Sequence, residues 1–369
     1  MAASASDAEP GRSSPLDGGP VRRLALAMVA LPIALCAAMG VSPAGEPGTA
    51  PGELAKLMRA LAATEAKEGA TSPYLLPLLE EIARLRSRYG DLAEAAALGR
   101  RALKIAIARF GCDSPSAGEA MVALALVEID RRRYLDAEPL LITAQTILRE
   151  RVSPDHPAMA AAMAGLARVA LARGDAAGAE TSARQAVAIA RRNPDERSSE
   201  PLRALGAALA AAERFSEAEE VLNDAVAQDR KHFGPDGSET ARSLAQLANA
   251  ELRAHRFAEA LPPLQQAVAI DQAKLGPAHP FIADDLLDLG LTYDGLKRTA
   301  EARRALATAL DLLQRGEGHD TPRVAYIDME LARIDRQDGN EADAEAVSRD
   351  AKRILRKAEE EEHRRERRM

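Results

Sequence analysis

Seven segments of this chain repeat one another with a spacing close to 42 residues. Measured from the last alanine of DLAEA, the equivalent positions are Ala95, Ala137, Ala179, Ala218, Ala260, Ala302 and Ala344; five of the six steps are 42 residues and one is 39. A second alanine column follows seven residues later in every copy, at Ala102, Ala144, Ala186, Ala225, Ala267, Ala309 and Ala351. Seven residues is about two turns of α-helix, so each pair marks one helix face where a neighbour comes too close for a larger side chain. Twelve residues upstream of the first column stands Ala83, Ala125, Ala167, Gly206, Ala248, Gly290 or Ala332, each preceded by leucine or, once, by Ile82. One helix therefore offers a ridge and the next a groove to receive it. Gly90, Gly174 and Gly339 fall between the two, where a helix end favours glycine. A hairpin of this kind cannot bury its apolar face alone, so the copies must stack into a solenoid.

Composition agrees with an all-helical core. Of the 369 residues 47% are hydrophobic but only 3% aromatic, with no tryptophan, and alanine and leucine favour helix over strand. A net charge of −7 gives no reason to expect nucleic-acid binding. Cys36 and Cys112 are the only cysteines, too few for a disulfide framework. Histidine-proline pairs at 156–157 and 279–280 suggest reactive chemistry until the register is considered. Pro73, Pro115, Pro157, Pro280 and Pro322 all lie 22 residues before the ruler alanine, at the start of a hairpin's first helix, where a missing N–H costs little. The histidines before them are punctuation. Nothing resembles a nucleotide-binding loop, a zinc helix or a nucleophile elbow, so no enzymatic activity, cofactor or metal is expected.

The N-terminus differs from the rest. Residues 1–21 are polar and rich in Gly, Pro and Ser, and are expected to be disordered. Residues 22–43 place Arg22 and Arg23 before an apolar run of 18 uncharged residues, the pattern of a signal peptide or a single membrane anchor. Cleavage near Ala44, retention, and acylation at Cys36 are all open. The repeats are expected outside the cytoplasm, periplasmic or held at the inner membrane by this segment alone. A linker is expected over 44–52, an N-terminal capping helix over 53–71, the seven hairpins over 72–357 and a charged helical extension over 358–369.

The helix–turn–helix pattern resembles the tetratricopeptide repeat. The eight additional residues per unit, inter-hairpin stretches such as FGPDG and LGPAHP, and endings such as RALKIA and QAVAID look like the kinesin-light-chain type of that family. The resemblance implies a right-handed superhelical solenoid whose first helices line a concave groove. The family's ligand-facing positions then fall at Arg84, Arg88, Val122, Leu126, Arg168, Arg203, Asn249, Arg253, Arg333 and Arg336. Glu80, Asp130 and Asp294 oppose a positive trend at these positions. It implies a non-enzymatic scaffold, monomeric, that holds a peptide segment of a partner protein, with acidic segments suited to the arginines. The alternative is a non-catalytic accessory or regulatory subunit of an enzyme or envelope assembly.

Overall fold

The computed structural model describes residues 50–193, 198–337 and 339–366. The apolar segment at 22–43, with its expected roles in export and anchoring, lies outside the described residues. Among those described, no strand is present and no helix is long and apolar enough to cross a membrane.

A leading helix, α1 (Ala50–Glu68), precedes seven hairpins. These are α2 (Leu76–Arg88) with α3 (Leu92–Phe110), α4 (Pro115–Asp130) with α5 (Tyr134–Arg151), and α6 (Pro157–Ala172) with α7 (Ala176–Arg191). Next come α8 (Glu200–Ala211) with α9 (Phe215–Phe233), then α10 (Ser238–Arg253) with α11 (Phe257–Leu275). Last are α12 (Ala283–Gly295) with α13 (Thr299–Glu317), and α14 (Pro322–Gln337) with α15 (Glu341–Glu366). Each helix packs on its chain neighbours, and first helices also touch those of adjoining repeats, as α6 and α10 both touch α8. The charged stretch from 358 continues α15 without a break as far as Glu366.

The two alanine columns are where the helices meet. Thirteen of the fourteen alanines are 0% exposed and the last, Ala351, is 1% exposed. The glycines in the upstream ridge follow the same logic. A Cβ on Gly206 would stand 2.3 Å from the Leu222 side chain, and one on Gly290 would stand 2.6 Å from Leu306.

The turn inside each hairpin puts one residue, five before the ruler alanine, in the left-handed region. Gly90, Gly174 and Gly339 have φ of 77°, 77° and 88°; Arg132, Glu213, His255 and Lys297 hold the same place at 59°, 60°, 58° and 61°. Four repeats therefore accept a strained non-glycine residue to keep the turn. At the other end of the unit, His156 Nδ1 accepts a hydrogen bond from Ala158 N (3.3 Å) and His279 Nδ1 accepts one from Phe281 N (3.2 Å). Ser114 Oγ does the same for Ala117 N at 3.2 Å. These histidines are helix caps followed by proline.

The fourth repeat, three residues short, keeps its fully buried Ala218 and Ala225 and loses length from its first helix, which has 12 residues against 16 in α4, α6 and α10. The fourth repeat belongs to the first of two large apolar cores. One runs from Met121 to Leu222, with Ala250 at its edge, and the other runs from Ala248 to Ile334.

Candidate functional site

The first helices carry a connected set of charged side chains. Ser87 Oγ on α2 donates to Asp130 of α4 (2.6 Å), and Arg168 of α6 donates to the same carboxylate (2.8 Å). Arg168 also faces Glu200 of α8 at 3.5 Å, and Glu200 accepts from Arg203 at 2.7 Å. Arg203 pairs onward with Glu239 of α10 at 3.0 Å, and Glu239 pairs with Arg88 of α2 at 2.5 Å. Ser87 and Arg88 are neighbours, so the path closes into a ring through the first helices of repeats one to five. The fifth repeat thus returns to touch the first. A second contact of the same kind joins Arg132, in the turn of repeat two, to Asp284 of α12 at 3.0 Å, and Asp284 is shared with Arg323 of α14 at 2.5 Å. Between them the His279 ring lies against the turn of repeat one, 2.7 Å from where a Cβ on Gly90 would be.

Beneath the ring is a buried polar anchor. Asp229 of α9 is 0% exposed and its Oδ2 accepts from Ser199 (2.7 Å), Ser243 (2.6 Å) and Arg203 (3.2 Å). Burial raises the Asp229 carboxyl, against the opposing pull of Arg203 and the two hydroxyls. Burial also works to raise the carboxyl of Glu239, but Arg88, Arg203, Arg242 and Arg84 together hold it far below the usual range. Burial lowers Arg88 to about 10, with Glu239 opposing and Arg84 and Arg242 reinforcing the shift.

Other carboxyls on these helices are raised. Glu80 is pushed up to about 8 by burial and then by the charge of Glu119, itself raised to about 7 by burial. Glu119 lies 3.4 Å from His156 Nε2. Further along, Asp271 and Asp285 share a hydrogen bond; burial raises Asp271 to about 6, and burial and then Asp271 raise Asp285. Asp288 is raised to about 6, mainly by burial, while accepting from Asn249 at 3.0 Å. Among the described residues no cluster of His, Cys, Asp or Glu is suited to a metal ion, and Cys112 is an exposed free thiol.

Of the ten positions read from sequence, Arg88, Arg168 and Arg203 are brought together in the ring. Their charges are matched by Asp130, Glu200 and Glu239, so the positive trend at these positions is cancelled within the chain. Arg84 pairs with Glu81, Arg333 with Asp294 (2.8 Å) and Glu330 (2.9 Å), and Arg336 with Ser348. Val122 is buried in the core and Leu126 packs against it. Arg253, at the register of Arg88 and Asp130, is exposed and forms no ion pair with a described residue. Sequence reading missed Glu200, Asp229, Glu239 and Ser243. A signal was available for Asp229: eleven residues after the ruler, most repeats carry Ala106, Leu148, Ala190, Leu313 or Leu355, whereas repeats four and five carry Asp229 and Asp271.

Fold and register define a helical-hairpin repeat solenoid with a closed ring of charged residues on the first helices of repeats one to five. The tetratricopeptide repeat family model matches residues 116–192 and 198–273, spanning repeats two to five. Repeats two to five are tetratricopeptide repeats. No curated protein matches the chain in sequence. Among solved structures, a Rap protein complexed with Competence and Sporulation Factor is similar at a TM-score of 0.55 and 14% identity, over 85% of this chain and 93% of that one. The APC/C hetero-tetramer Cut9-Hcn1 is similar at 0.52 and 16%, over 81% and 56%. A putative kinesin light chain of Podosopora anserina with nearly identical TPR-like repeats aligns at 0.30 and 21%, over 67% and 98%. At these identities the structures speak for the fold alone.

Proposed function

We propose that this solenoid is a non-enzymatic scaffold that binds a segment of a partner protein along its first helices. The observation behind this reading is the ring, which brings charged side chains from five separate repeats together along one preformed face of first helices, with Arg168 partly exposed. Such a surface suits an extended chain, which can pair with one repeat after another without ordering the scaffold. The similar Rap structure is complexed with Competence and Sporulation Factor, which is consistent with a binding use of the fold. Arg253 offers an exposed guanidinium beyond the ring, and an acidic side chain is its natural complement.

Photo-crosslinking residues placed singly at Arg253 and Tyr326, both on first helices, and at exposed Ile142 on second helix α5 test the reading. The partner is expected to crosslink from 253 and 326 and not from 142; capture from 142 alone sinks it. We also propose that this occurs outside the cytoplasm, on the strength of residues 22–43. Residues 1–55 fused to a reporter active only after export should give signal, and a silent fusion counts against export.

A further inference from the structure

Glu239 is unlike the other carboxylates of the ring. It sits at the junction of the first and fifth repeats, almost fully buried, and pairs with Arg88 from one and Arg203 from the fourth repeat. Arg84 and Arg242 add to the positive field at the same carboxyl. One carboxylate thus faces four arginines, and removing it would leave a cluster of like charges on α2, α8 and α10. The other partners of those arginines do not make up for it. Glu81 serves Arg84, Glu200 and Asp229 serve Arg203, and Arg88 has no other ion pair with a described residue.

The contact that Glu239 makes is also tertiary rather than local. It joins residues four repeats apart, as Arg132–Asp284 also does, but that pair is exposed on both sides. Exposed pairs of that kind contribute little and are screened by salt. Of these two long-range pairs, the one that joins repeats one and five is the buried one.

We propose that Glu239 is an internal ligand: its carboxylate occupies the Arg88–Arg203 site, and a carboxylate of a partner segment displaces it and releases repeat five from repeat one. This deepens the scaffold reading and rests on it. The site accepts acidic side chains, and its apparent affinity is lowered by the fraction of time Glu239 fills it. A segment with several carboxylates is favoured, because Arg84 and Arg242 flank the same place.

The full-length chain and its Glu239→Gln variant are titrated with fluorescein-labelled hexaglutamate, with hexalysine as the opposite-charge control. Glutamine keeps the shape and removes the charge. Glu239→Gln is expected to bind hexaglutamate about tenfold tighter than the native chain, the size of gain expected when a largely occupied site is vacated. Adding Arg88→Gln to that variant should erase the gain. An unchanged affinity, a gain that survives Arg88→Gln, or a preference for hexalysine overturns the proposal. Should Glu239→Gln fail to fold by circular dichroism, hydrogen exchange on the native chain decides. Saturating hexaglutamate should speed exchange at residues 236–242, and protection or no change there overturns it. A partner that crosslinks at Arg253 yet binds Glu239→Gln no differently leaves the scaffold reading standing and removes this one.

Discussion

Leu148 and Asp229 occupy the same register in their repeats, eleven residues after the ruler alanine, and both are 0% exposed. Around Leu148 the seam between repeats two and three is apolar, with Ala162, Met159 and Met163 in the same core. Around Asp229 the seam between repeats four and five is polar: Ser199, Ser243 and Arg203 all donate to one oxygen, and Oδ1 has no protein partner. One backbone geometry thus supports two kinds of cohesion. Apolar burial is tolerant, since a shortened side chain loses area in proportion. A buried charge is not, since taking away the acceptor strands every donor that faced it. The polar seam is also where the chain gathers the ring, and only a directional anchor can aim Arg203 towards Glu239.

The largest expected effect breaks that seam. Asp229→Ala should cost about 3–5 kcal/mol in urea unfolding, because it strands two buried hydroxyls and one nitrogen of Arg203, each at about 1–3 kcal/mol, although Arg203 keeps Glu200 and Glu239. A loss under 1 kcal/mol would mean the seam is wet and the anchor unimportant. Next comes the close packing common to both seams. Ala186→Leu, in a column position with 0% exposure, should cost about 1–3 kcal/mol by overpacking. An unchanged melting point would remove the packing role of that column.

The pH dependence separates the ring from the raised carboxyls. Glu80 (about 8), Glu119 (about 7), Asp271 (about 6) and Asp288 (about 6) all favour their neutral form when folded. Their contribution is complete below the ordinary carboxylate range and is lost as pH rises through 6 to 8. Glu239 has the opposite sign: its contribution is present above the ordinary range and is lost only in strong acid. Stability should therefore fall from pH 5 to pH 8, and Glu80→Gln with Asp271→Asn should flatten the slope. A slope unaffected by both changes would show these carboxyls to be solvated.

The smallest effects concern the turns. Glu213→Gly should stabilise by about 1 kcal/mol, since φ of 60° is strained for a residue with a Cβ. Arg132→Gly should gain less, because it also gives up the exposed pair with Asp284, worth about 0–1 kcal/mol. Equal gains in thermal melts would show that this pair contributes nothing.

Much of the fold was legible because it repeats. The alanine columns, the proline positions and the histidine caps are local features, and seven copies make a periodic signal that single residues lack. Arg88, Arg168 and Arg203 were legible as members of one face for the same reason. Their partners were not. Glu200 and Glu239 lie on the faces expected of charged residues and resemble solvated carboxylates in the sequence.

What the sequence determined by itself is the unit: two helices, their turn, their caps and the ridge that meets the groove. These depend on contacts within about one repeat, and side-chain size at 3.6-residue spacing decides them. What only the tertiary structure decided is how far the stack curls. Arg132 and Asp284 are 152 residues apart in the chain, yet they meet because small rotations between successive hairpins accumulate, and the short α8 lies between α6 and α10. No single repeat encodes that sum. The neutral ring, the buried Glu239 and the return of repeat five to repeat one all follow from it.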